Sequence, residues 1–132
     1  MEMLYTRETT GNIDAVGKRL EEAVKAHKFG VLGVIDLQAK MKEKDVDFKH
    51  ACRIYEVCNP QRAKQVLEKE MSISTALPCR ITVYEEGGKV KIATLLPTQT
   101  LSLFNIPDLA PVAKEVEVAI VGMIDDAVEE EK

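Results

Sequence analysis

The chain has 132 residues, which suffices for one compact domain with one sizeable core and is too short for two ordinary domains. Lys and Arg number 18 against 22 Asp and Glu, a formal charge of -4, and the acids crowd into the closing "DDAVEEEK". That balance favours solubility and opposes binding to phosphate backbones, so neither a nucleic acid nor a membrane surface is expected as a partner.

The opening "MEMLYTRETT" places Glu2, Arg7 and Glu8 where a secretory signal needs a basic start and an unbroken apolar run, so export is not expected and the cytoplasm is the expected location. "MLYTRET" alternates Leu4, Thr6 and Glu8 against Met3, Tyr5 and Arg7, and its Thr and Tyr content predicts a first strand. From Asn12 the period changes. Ile13, Val16, Leu20, Ala23, Val24 and His27 recur at helical spacing, Asn12 can cap the helix, and Gly30 can end it in a left-handed conformation.

"VLGVIDL", residues 31 to 37, is continuously apolar over its first five positions, as a central strand covered on both faces would be. "KMKEKDVDFK" reads as a surface connection, "HACRIYEVC" as a strand over 50 to 58, and "PQRAKQVLEKEM" as a helix with Ala63, Val66, Leu67 and Met71 on one side. "CRITVYEEGGKVKIATLL" predicts a hairpin, two β-rich runs joined at Gly87 and Gly88, where residues without Cβ take the positive φ of a tight turn.

A loop, "PTQTLSLFNI", leads to Pro107 in the first turn of a last helix. In that helix Leu109, Val112, Val116, Ile120, Met123 and Ala127 form one stripe, and Val118, Val121 and Val128 a second. Its richest stretch, "VEVAIVGMI", is far short of the roughly 20 apolar residues of a membrane span. A helix lying on its own sheet needs only one apolar side. The second stripe therefore predicts a homodimer in which Val118 and Val121 meet a second copy. The element order is βαββαββα, and the fold class α+β with a mostly antiparallel sheet and helices on one side.

Chemistry concentrates at "YEVCNP". Asn59 and Pro60 are helix-start residues. Cys58 lies just ahead of that start, where the positive end of the macrodipole favours thiolate. Glu56 is a carboxylate in an apolar strand, a candidate acid or base, with Arg80 or Arg53 as a neutralising partner. The three cysteines, Cys52, Cys58 and Cys79, form no CxxC and fit reduced thiols. His50, Cys52, Glu56 and Cys58 share strand parity, yet positions 50 and 58 are roughly 26 Å apart on a strand and cannot share one ion. An antiparallel return of the chain brings Cys79 to the same sheet end as Cys58; a parallel crossover separates them.

The candidate ligand-binding set is thus Cys58, Cys79, Glu56 and Arg80, with Cys58 and Glu56 as the catalytic candidates and no metal site. No phosphate loop, GxSxG, HExxH or dinucleotide fingerprint is present, and no cofactor is implied. The primary expectation is a cytoplasmic, homodimeric protein that binds a small ligand or partner at the Cys58/Cys79 end of the sheet. The alternative is a thiol-redox or metal-dependent, enzyme-like protein using Cys58.

"IYEVCNPQRAKQVLEKEMSISTALPCRITVYEEGGKVKI" resembles the domain-of-unknown-function 302 family, through Cys58, Asn59, Pro60, Ala63, Leu67, Leu77, Pro78 and Cys79. "LLPTQTLSLF" and the last helix extend the likeness over nearly the whole chain. The resemblance implies a TATA-binding-protein-like α+β fold, usually paired into a dimer. It brings no catalytic residues with it, and a shared fold does not carry DNA binding.

Overall fold

A computed structural model describes residues 2–128, so the acidic tail from position 129 onward lies outside the described residues. Five strands form one antiparallel sheet: β1 (Leu4–Thr9), β2 (Gly30–Asp36), β3 (Cys52–Cys58), β4 (Cys79–Glu86) and β5 (Lys89–Leu95). Their spatial order is β1-β5-β4-β3-β2. Every pairing is antiparallel, with Val57 opposite Cys79 and Thr82 opposite Ala93. Gly87 and Gly88, at φ +61° and +77°, make the β4–β5 turn that the sequence predicts.

Three longer helices accompany the sheet: α1 (Ile13–Ala26), α3 (Pro60–Lys69) and α5 (Ala110–Ala127). Their starts follow from local chemistry. The Asn12 side chain accepts from the Ala15 N–H at 2.8 Å, and that of Asn59 accepts from the Gln61 and Arg62 N–H groups at 3.0 and 3.2 Å, with Pro60 in the first turn. At the other end of α1, Lys28 at φ +69° takes the left-handed position expected of Gly30, which instead opens β2.

The helix periodicity of the sequence becomes the core. Val16, Leu20 and Val24 of α1 and Ile120, Met123 and Ile124 of α5 are fully buried against Val57, Ile81, Val83 and Ile92. A second cluster, Val66, Ile73, Leu101, Leu109, Val112 and Ala113, gathers α3, the 3-10 turn Met71–Ala76, a short helix α4 (Pro97–Ser102) and α5 at one end of the sheet. The last helix enters through a 3-10 turn, Pro107–Leu109.

The order βαββαββα holds for the long elements, and several readings change. The connection after β2 begins with a helix, α2 (Leu37–Glu43), which Asp36 caps by accepting from the Ala39 N–H at 2.9 Å; Leu37 and Met41 stand at helical spacing, but one such pair in seven residues is too short a pattern to announce it. The loop after β5 likewise contains α4. β2 is an edge strand and not a central one: it pairs only with β3, bulges between Val31 and Gly33, and leaves Leu32 64 % exposed. An unbroken apolar run does not say which of its faces is covered. β3 also starts at Cys52, not at His50, and His27, expected on the apolar stripe, is the α1 C-cap residue, bonded to Asp126 at 2.8 Å.

Candidate functional site

Strand alternation divides β3 cleanly. Arg53, Tyr55 and Val57 face α1: Arg53 pairs with Asp14 at 2.6 Å, and Tyr55 and Val57 are buried. Cys52, Ile54 and Glu56 take the opposite face, in register with Tyr84, Thr82 and Arg80 of β4. Ala93 and Lys91 of β5 and Thr6 and Glu8 of β1 continue those rows, and Leu4 lies opposite Leu95. This face, turned away from α1 and α5, is polar at one end, where Lys91 pairs with Glu86 at 2.7 Å and with Glu8 at 3.8 Å. Its other end is apolar, with Leu4 and Leu95 each 53 % exposed.

At the apolar end lies a groove of about 280 Å³. Ile54, Thr82, Ala93 and Leu95 floor it, Arg80 stands at its side, and Ala76, Pro97 and Thr100 close it towards the second hydrophobic cluster. Behind that wall is a cavity of about 40 Å³, lined by Cys58 and Cys79 together with Val57, Val66, Leu101 and Val112. Cys79 borders both spaces.

The structure brings the four sequence-predicted residues to one end of the sheet. The antiparallel β3–β4 pairing sets Val57 against Cys79 and Glu56 against Arg80, whose side chains lie 3.6 Å apart. Arg53, the other candidate partner for Glu56, is on the opposite face with Asp14 and Asp36. Cys58 and Cys79 are half-buried free thiols.

Their electrostatics run against the dipole argument. Burial pushes the Cys58 thiol up from its ordinary pKa, and burial together with the neighbouring Cys58 pushes Cys79 up to about 11. At neutral pH both hold their protons. For Cys58 that direction runs against the thiolate expected of a cysteine just ahead of the α3 start. Among the described residues no three His, Cys, Asp or Glu side chains converge to hold a metal.

Sequence reasoning missed the groove floor. The signal was present in "KVKIATL": with Val90 and Ile92 inward, the outward positions Ala93 and Leu95 are also apolar, which a one-sided sheet does not require. It also missed Phe29 and Arg62 beside the inner cavity, which reach it only through tertiary packing.

The family model for the domain of unknown function DUF302 matches residues 5–127. The chain belongs to the DUF302 family. A solved relative, the uncharacterized conserved protein DUF302 from Bacillus stearothermophilus, is 34 % identical and superposes with a TM-score of 0.91, covering 96 % of this chain and 99 % of that one. No curated protein matches. Of the residues that carry the resemblance in this DUF302 protein, Cys58, Asn59, Ala63, Leu77 and Cys79 line the inner cavity and Pro78 lines the groove, whereas Pro60 and Leu67 line neither. No helix among the described residues is long and apolar enough to cross a membrane.

Proposed function

We propose that this DUF302 protein is a cytoplasmic, homodimeric binding protein that takes a small, largely apolar ligand at the Cys79/Arg80 end of its sheet. The groove carries the proposal. Its volume of about 280 Å³ is close to the lower bound of roughly 300 Å³ for small-molecule sites, it is floored by aliphatic side chains, and one charged pair, Arg80 and Glu56, marks its side. Cys58 and Cys79 serve as apolar wall in this reading, in keeping with their raised pKa values. Free thiols suit a reducing cytoplasm.

Pairing rests on α5. Val118 is 61 % exposed and Val121 half-buried, and Lys114, Val118, Val121 and Asp125 follow one another at helical spacing on its outer side. In an antiparallel contact of two copies about a two-fold axis, Val118 meets the partner's Val121 and Lys114 meets the partner's Asp125. The stripe is thus complementary to itself, as an isologous interface requires.

Titration with the amphiphilic dye 1-anilinonaphthalene-8-sulfonate tests the groove. Thr82 lies half-buried on the open face away from the core, so Thr82→Phe fills the groove with a residue that strands accept. Dye emission should rise on binding to the wild type and be largely lost in Thr82→Phe at unchanged thermal stability. Equal emission from both proteins would remove the groove as the ligand site.

A further inference from the structure

An uncharged row crosses the middle of the open sheet face. Thr6 stands opposite Ala93, Ala93 opposite Thr82, Thr82 opposite Ile54 and Ile54 opposite Ile35. On one side of this row Lys91 is matched by Glu86 and Glu8. On the other side, Arg80 of β4 faces Glu56 of β3. Arg80 is the one charged side chain lining the groove, so a charge on a ligand seated there is answered by the Arg80 and Glu56 pair.

The pair is loosely made. Nε of Arg80 and Oε2 of Glu56 are 3.6 Å apart, outside hydrogen-bond distance, and neither side chain makes a hydrogen bond among the described residues. Yet the Glu56 side chain is only 23 % exposed, so its carboxylate is largely withdrawn from water without a donor to satisfy it. Its other oxygen, Oε1, lies over Gly33 of β2, where a Cβ would stand 3.5 Å away. The Arg80 guanidinium, a planar fork of donors, is more open at 54 % exposed and meets only this one carboxylate. Both members of the pair therefore keep hydrogen-bonding capacity for a third group.

We infer that the groove takes a free α-amino acid with an aliphatic side chain, its carboxylate accepting from Arg80, its ammonium donating to Glu56 and its side chain lying on Ile54, Thr82 and Ala93. The inference rests on the binding role proposed above. Charge logic selects the zwitterion. A carboxylate alone, bound to Arg80, brings a like charge up to Glu56, and an amine alone, bound to Glu56, brings one up to Arg80. A molecule whose ammonium and carboxylate are joined through one carbon answers both at once and closes a ring of alternating charges. The groove, about 280 Å³, lies at the small end of ligand sites and suits one molecule of this size.

Calorimetric titration of the intact protein with L-leucine, N-acetyl-L-leucine and L-leucinamide tests it. In the wild type each blocked form should bind roughly fivefold more weakly than leucine. Arg80→Gln should abolish the difference between leucine and leucinamide, and Glu56→Gln that between leucine and N-acetyl-leucine, because each variant removes the group that reads the blocked charge. The side chain should count as well: L-leucine should bind more tightly than L-alanine by roughly fourfold per added carbon. Equal affinity of the wild type for leucine and both blocked forms would overturn the zwitterion, and so would the absence of leucine binding at millimolar concentration. In either case the groove reading stands if dye binding is still lost in Thr82→Phe. Insensitivity of leucine and dye alike to Thr82→Phe would overturn both. Should Arg80→Gln or Glu56→Gln not fold, the blocked forms titrated into the wild type decide alone.

Discussion

The hydroxyl of Tyr55 occupies the space that a Cβ at position 17 would need, so β3 and α1 approach as closely as they do only because residue 17 is glycine. Tyr55 is almost fully buried, and its ring is held in the core by the helix passing over it. Gly17→Ala gains about 1 kcal/mol in helix propensity, but overpacking of this kind costs about 1–3 kcal/mol, because the Tyr55 hydroxyl in the way belongs to a ring packed in the core. A net loss of up to about 2 kcal/mol is expected in urea unfolding. Tyr55→Phe removes the clashing oxygen, so the double variant should recover most of that loss; additive losses would show that the contact is not the cause.

Pairing through α5 predicts charge as well as apolar dependence. Val118→Asp places a carboxylate opposite the partner's Val121 and should convert dimer to monomer in light scattering after gel filtration, with the melting temperature at high dilution unchanged. Lys114→Glu sets acid against Asp125, which already accepts from Arg7 at 2.8 Å, and should weaken the dimer roughly fivefold or more. Wild-type protein that runs as a monomer at tens of micromolar would end this account of the second stripe.

Cys79 predicts alkaline behaviour. Its pKa is raised to about 11 in the folded chain, so its proton stabilises the fold fully below the unfolded thiol value of about 8.5, and that contribution is lost as pH rises through about 11. Up to about 3 kcal/mol is at stake once both values are passed. Between pH 8 and 11 the wild type should lose more stability in urea than Cys79→Ala, whose own decline reports the remaining groups, including Tyr5 and Tyr55, both raised. Parallel curves for the two proteins would mean that Cys79 meets water freely.

The elements are more legible in the sequence than their neighbours are. Asn12, Asn59, Pro60 and the Gly87–Gly88 turn act over four residues or fewer, and each does in the structure what its chemistry dictates. The antiparallel return that joins Cys58 to Cys79 was legible because a tight hairpin follows it. What covers a strand is not a local property. "VLGVI" has the composition of a buried strand yet forms an edge, and the groove depends on Leu4, Ile54, Ala93 and Leu95 from three strands distant in sequence. For Cys58 the two influences are legible to different degrees: the helix start can be read from "NP", whereas the desolvation that raises its pKa comes from side chains that tertiary packing supplies.

The wall between the groove and the inner cavity depends on Glu117. Its carboxylate, mostly buried on α5, accepts from the Thr98 N–H at 3.0 Å and from the Thr98 hydroxyl at 2.6 Å, so one side chain satisfies a donor in the first turn of α4 and fixes that helix to α5. Pro97 and Thr100 of the same helix border both the groove and the inner cavity. Glu117→Ala leaves the Thr98 donors without a carboxylate and should cost about 1–3 kcal/mol; Glu117→Gln, which keeps one acceptor oxygen, should cost less. Amide exchange should accelerate over residues 97–102 in Glu117→Ala while β4 and β5 keep their protection, because the sheet core does not rely on α4. Uniform acceleration across the sheet would assign Glu117 to global stability instead.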